Sequence, residues 1–207
     1  IIYGIYKQLL VEADEAGIDS GEGGAPRLSE EEFREFERVI QRGRALLYRD
    51  YPWFGVVLTK LRTVPTYDIP TMAVDNFGNI YINPVFACKT LNFDEMFGVL
   101  AHECFHHINL TFNRRRGRDG TLWNIATDFI MNRDLLEMGI KLPTMGCLPV
   151  RSGDKWVISQ LNNLDVTDMT CEELYKELEK AQQQQQQQQG KQQKQQGKPQ
   201  EGSGGEG

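Results

Sequence analysis

The stretch His102-Glu103-Cys104-Phe105-His106-His107 constrains this chain more than any other. Side chains four apart on a helix project from one face, so a helix here stacks His102 on His106. Two imidazoles so placed can grip one metal ion, and Glu103 beside them can act as base on a metal-bound water. The pattern has chemical meaning only in context. The segment must be helical, a third ligand must reach it, and the site must stay open to a substrate. All three histidines of the protein lie within these six residues. His107 points about 100° away from His106 on a helix, so the third ligand has to be something other than histidine.

The helix itself is well signalled. Asn92 followed three residues later by Glu95 reads as an N-cap with a reciprocal partner. Met96, Phe97, Leu100, Ala101, Cys104 and Ile108 share an apolar face, with Val99, His102, Glu103 and His106 on the other side of the cylinder. That placement takes the histidines off the core stripe and puts Cys104 on it, as packing.

A catalytic zinc has three protein ligands and one water. The longer pattern H-E-x-x-H-x-x-G-x-x-H is excluded, because Asn109 stands at the glycine position and Phe112 at the last histidine. A carboxylate or a thiolate must complete the set. Downstream, Thr121 to Gly139 reads as a helix with glycine as the stop residue. On it Asn124, Asp128 and Asn132 form a polar ladder spaced by four, opposite Leu122, Ile125, Phe129 and Leu136. Such residues are poor helix formers, so something other than propensity accounts for them. Asp128 is the favoured third ligand, with Asn124 and Asn132 orienting it or the substrate. Glu137, Asp119 and Cys147 remain the alternatives, and Cys147 would be the fourth ligand of a closed, structural site.

Around this centre the chain supplies packing material. A short amphipathic helix over Ile2 to Ala13 and a Gly- and acid-rich linker make up residues 1–24. Ser29-Glu30-Glu31-Glu32 is a capping box opening a helix with Phe33, Phe36, Val39, Ile40, Gly43, Leu46 and Leu47 on one stripe. Pro52 opens another. Thr71 to Val74 and Ile80 to Ile82 flank a turn-rich loop and predict a β-hairpin, whose edge could pair with an extended peptide. Tyr81 on it is a weak candidate for stabilising an oxyanion. Asn113 to Gly120 is a basic, Gly-punctuated loop, read as solvated turn. A last helix starts at Thr170, and residues 181–207 form a Gln/Gly-rich low-complexity tail, in which Gln182 to Gln189 prolong or fray that helix and the rest has too few apolar residues to order a fold.

Charge and cysteine usage narrow the class. The formal net charge is -6; three tail lysines against two tail glutamates leave the body at -7. An acidic body argues against nucleic acid as a partner, the Arg114 to Arg118 loop notwithstanding. No apolar run approaches a membrane span of roughly 18 residues. Four scattered cysteines without a C-x-x-C pair read as thiols of a reducing compartment, which favours a cytoplasmic protein.

The segment Leu100-Ala101-His102-Glu103 with His106, together with Leu122-Trp123-Asn124-Ile125-Ala126-Thr127-Asp128, resembles a family of metallopeptidase-type domains that precede a von Willebrand factor A-like domain. The likeness runs from Thr71 to about Leu178. It takes in Ala73-Val74-Asp75, Asn83-Pro84, Arg118-Asp119, Asn132 and Leu142-Pro143, and closes on Met169-Thr170-Cys171-Glu172-Glu173-Leu174-Tyr175. The resemblance implies a zincin-like fold and association with a MoxR-type ATPase or a von Willebrand-like domain. No such domain follows in this sequence, so either a stand-alone form or a stop before that domain is expected.

The expectation is therefore a mostly helical α+β, zincin-like domain at residues 25–180, with a small sheet or hairpin next to the metal helix. Its expected function is zinc-dependent hydrolysis of peptide bonds in a peptide or protein substrate. His102, His106 and Asp128 would hold zinc, Glu103 would serve as base, and Asn124 and Asn132 would support the ligands. The alternative is a non-enzymatic zinc module that acts in an assembly.

Overall fold

A computed structural model describes residues 27–196, with side chains through Gln187. The N-terminal helix and linker expected at 1–24 and the tail beyond 196 lie outside the described residues. Among the described residues, six α-helices and two small sheets make a mostly helical α+β fold. Helix α1 (Glu30–Asp50) starts at the expected box: Ser29 accepts from the Glu32 amide and Glu32 reaches back to the Ser29 amide. It buries Phe36, Ile40, Gly43 and Leu47. Helix α2 (Pro52–Leu58) follows, with Pro52 in its first turn.

The first sheet holds β1 (Arg62–Pro65), β2 (Met72–Val74) and β3 (Asn79–Ile82) in the order β1-β3-β2. β2 and β3 form the expected antiparallel hairpin, Met72 opposite Ile82 and Val74 opposite Ile80. β1, not expected from the sequence, joins β3 in parallel. β2 is thus an edge strand, and it lies against helix α3 (Phe93–Ile108). Between them a π-helical turn, Phe86–Thr90, is anchored by buried Asn83, whose side-chain oxygen accepts the Val85 and Phe86 amides.

Helix α3 begins at Asn92 with both halves of its capping box present. Its apolar side packs into a first core with Phe36, Leu47, Phe54, Ile80 and Ile82, where Met96, Leu100 and Cys104 are fully buried. Burial of Met96 and of Leu100 contributes roughly 1.5–3 kcal/mol each relative to exposure. The opposite side is covered too, by helix α5 (Gly120–Glu137), which buries Glu103 and His106. At Gly98 the chain at Lys141 comes so close that a Cβ would sit 1.9 Å from its carbonyl oxygen. Only glycine fits there.

Short helix α4 (Thr111–Arg115) joins α3 to α5. The second core lies between α5, the antiparallel sheet β4 (Val150–Ser152), β5 (Lys155–Ile158) and β6 (Leu164–Asp165), and helix α6 (Cys171–Gln196). Helix α5 ends with Gly139 at φ +78°, the left-handed stop its sequence announced. Helix α6 continues through the glutamine run to Gln196, prolonged as the glutamines at 182–189 allow. Glutamine is a fair helix former, and a docked first turn removes the cost of nucleation. Among the described residues no helix is long and apolar enough to cross a membrane.

Candidate metal centre

Helical phase on α3 and α5 brings three side chains to one point. His102 Nε2 and His106 Nε2 are 3.2 Å apart, with their rings nearly perpendicular. Asp128 Oδ1 lies 3.6 Å from the first and 3.5 Å from the second. Among the described residues this is the group of donors close enough to share one ion.

The outer contacts decide which ring nitrogens carry protons. Asn132 Nδ2 donates to the Cys147 carbonyl at 3.0 Å, which fixes the amide orientation and leaves its Oδ1 2.7 Å from His102 Nδ1. An oxygen there can only accept, so His102 carries its proton on Nδ1. Thr111 Oγ1 donates to the His106 carbonyl at 3.2 Å and lies 3.1 Å from His106 Nδ1. It therefore accepts from that nitrogen. Both Nε2 lone pairs then point inward, at a carboxylate oxygen that is buried and without a hydrogen bond. Three acceptors facing one another at 3.2–3.6 Å need a cation between them. Ligand atoms about 2.0–2.1 Å from a tetrahedral centre stand about 3.3 Å apart. The donors fit a metal ion.

Without such an ion the cluster would hold a proton instead. Burial pushes His102 down, but the hydrogen bond and charge of Asp128, helped by Glu103 and Asn132, outweigh it and lift the group to about 9. Burial and the charge on His102 hold His106 down at about 4. Burial raises Glu103 to about 7, against the pull of His102. Glu103 makes no hydrogen bond or ion pair among the described residues.

The structure brings together the three side chains expected as ligands, and of the two expected supports one bonds to Asp128 and the other to His102. Asn124 Nδ2 holds the outer oxygen of Asp128 at 3.1 Å, whereas Asn132 serves His102, not Asp128. Thr111 was missed. Leu110 before it adopts φ +52°, a left-handed turn that swings the chain back onto His106 and breaks helical periodicity. Trp123 Nε1 then fixes Thr111 by donating to its carbonyl at 2.8 Å. The ligand alternatives sit elsewhere: Asp119 caps α5 at the Leu122 amide, Glu137 accepts from Trp156 Nε1, and Cys147 is buried outside the donor cluster.

Tyr81 is not in the site, since its hydroxyl donates to Asp75 at 3.1 Å. His107 donates Nε2–H to the Asp75 carbonyl at 2.9 Å and ties α3 to the hairpin. The basic loop is less solvated than its composition suggests. Arg114 grips Glu172 through two bonds of 3.1 and 2.6 Å, and Arg118 stacks over Trp123 and Tyr175.

Two clefts meet at His102, Glu103, Asn124 and Asp128. The first, about 270 Å³, runs past Met72 to Val74, Phe112, Arg115 and Trp123. The second, about 370 Å³, runs past Phe86, Val99 and Leu142 to Leu148. The donors thus face open space on the side where β2 lies. A family model described as "Putative metallopeptidase domain" matches residues 35–207. Neither a curated protein nor a solved structure matches the chain.

Proposed function

The chain belongs to this putative metallopeptidase domain family, and from that premise we propose that it is a zinc peptidase with His102, His106 and Asp128 as ligands and Glu103 as base. The observation that carries the proposal is the buried triangle of two imidazole lone pairs and an unbonded carboxylate oxygen, open to a cleft. Two neutral imidazoles and one carboxylate suit zinc, and three protein donors leave its fourth position for chemistry. A closed structural site would need another donor, and the cluster among the described residues has three.

Zinc held there supplies a Lewis acid that polarises the scissile carbonyl and lowers the pKa of a water toward roughly 7. Glu103 lines both clefts and is committed to no partner among the described residues. It takes the proton of the attacking water and returns it to the leaving amine, a task suited to a group that burial has moved toward neutrality. Asn132 and Thr111 aim the two rings by their Nδ1 atoms, and Asn124 steadies Asp128. Among the described residues one edge of β2 is unpaired and offers backbone groups along the clefts, where an extended polypeptide adds as a further strand.

Glu103→Gln tests the assignment. The variant is expected to keep its fold and one zinc while peptide hydrolysis falls by about two orders of magnitude or more. Equal turnover in variant and wild type rejects Glu103 as base.

A further inference from the structure

The two clefts differ in chemistry along the direction of β2. The strand and the residue before it line the second cleft at Thr71 and Met72 and the first at Met72, Ala73 and Val74, so this segment runs from one to the other past the metal donors. The second cleft is walled by Phe86, Val99, Leu142, Pro143, Met145 and Leu148. Its only ionisable side chains, apart from Cys147, are those of the site itself. The first cleft is polar by comparison and contains Arg115, which makes no ion pair among the described residues.

The apolar cleft is held in shape by buried amides. Asn83, 2% exposed, donates to the Ile69 carbonyl at 2.8 Å on one wall and accepts the Phe86 amide at 3.2 Å on another. Asn132 joins the Cys147 segment to His102. Walls tied to the ligands keep a pocket next to the reacting bond.

We propose that the substrate is a polypeptide strand with a large apolar residue immediately after the scissile bond, seated in the Phe86–Val99–Leu142–Met145 cleft. The side follows from strand polarity. Antiparallel pairing is the more stable per residue, and a chain antiparallel to β2 runs from the Arg115 cleft toward the apolar one. The residue before the cut therefore lies near Arg115, and the one after it in the apolar pocket. This inference rests on the peptidase reading above.

Two measurements on the zinc-loaded protein separate the two claims. The first is calorimetric binding of succinyl hydroxamates that anchor on zinc and carry one variable side chain in the place of the residue after the cut. Isobutyl and benzyl compounds are expected to bind roughly tenfold or more tighter than the unsubstituted compound, and the aminobutyl and carboxymethyl ones no tighter than it. In Met145→Lys that preference for isobutyl collapses, whereas Met145→Leu retains it. Equal affinity for all side chains in the wild type overturns the pocket. The second is digestion of a mixed peptide library, with the new N-termini read by mass spectrometry. Leu, Ile, Phe, Met and Val should dominate those termini; a preference on the other side of the cut overturns the strand polarity. Selective hydroxamate binding with no cleavage upholds the pocket and refutes proteolysis. Cleavage without side-chain preference does the reverse.

Discussion

Asn132→Ala separates the residues that aim the ligands from the ligands themselves. Asn132 is 7% exposed and makes two bonds, one to His102 Nδ1 at 2.7 Å and one to the Cys147 carbonyl at 3.0 Å. Removing the outer partner of a metal-binding histidine costs about 10–100-fold in metal affinity, or roughly 1.4–2.7 kcal/mol. The lost bonds also leave the His102 donor unmet, so the chelator-treated protein should lose about 1–3 kcal/mol of stability. Asn132→Asp gives the complementary result. It keeps an acceptor for His102 and charges it, which strengthens the imidazole as a ligand, but it turns a carboxylate oxygen toward the Cys147 carbonyl. Zinc affinity should then match or exceed wild type while stability still falls. Competition against a chromogenic chelator reads the affinity, and urea unfolding in EDTA reads the stability. If Asn132→Ala binds zinc as tightly as wild type, the 2.7 Å contact orients nothing. A loss as large as that of a true ligand would mean that the ligand set is wrong.

Asp128→Ala should weaken zinc binding well beyond 100-fold, because it removes the one carboxylate of the proposed ligand set, while Asn124→Ala stays within about 10–100-fold. Parallel titrations including Glu137→Ala, Asp119→Ala and Cys147→Ala, all expected to bind as wild type, check the assignment. Binding should also depend on pH. Against the effect of burial, Asp128 lifts His102 to about 9, and that proton must leave before zinc binds. Apparent affinity should therefore rise about tenfold per pH unit between pH 7 and about 9, and a flat profile over that range would refute the coupling. In the chelator-treated protein the same proton stabilises the fold. A group raised from an ordinary 6.5 contributes in full below 6.5 and loses that contribution as the pH rises through about 9. Its Tm should be lower at pH 9 than at pH 7.

What could be read from the sequence was whatever is local and periodic. Capping boxes at Ser29 and Asn92 are three-residue signals, and both were found in place. Gly139 was legible because a left-handed stop demands it. The approach of Asp128 to the two histidines was legible because an Asn-Asp-Asn ladder is costly in a helix and needs a reason. Other features depend on tertiary context. β1 has four residues, one of them proline, and becomes a strand only by pairing with β3. β4, β5 and β6 have three, four and two residues, too short to show alternation. Thr111 reaches His106 through the left-handed Leu110, a conformation that leaves no trace in residue type. The basic loop gave the opposite error: its composition suggested solvent, but Glu172 and Tyr175 lie near it in space and far from it in sequence.

The metal content of the purified protein decides whether helices α3 and α5 carry a zinc. Protein purified without added metal or chelator should contain about one zinc per chain by elemental analysis. His102→Ala, still folded by circular dichroism, should contain essentially none. A folded wild-type protein that carries no zinc, and takes none up on titration at pH 8, would contradict the assignment of His102, His106 and Asp128 as ligands.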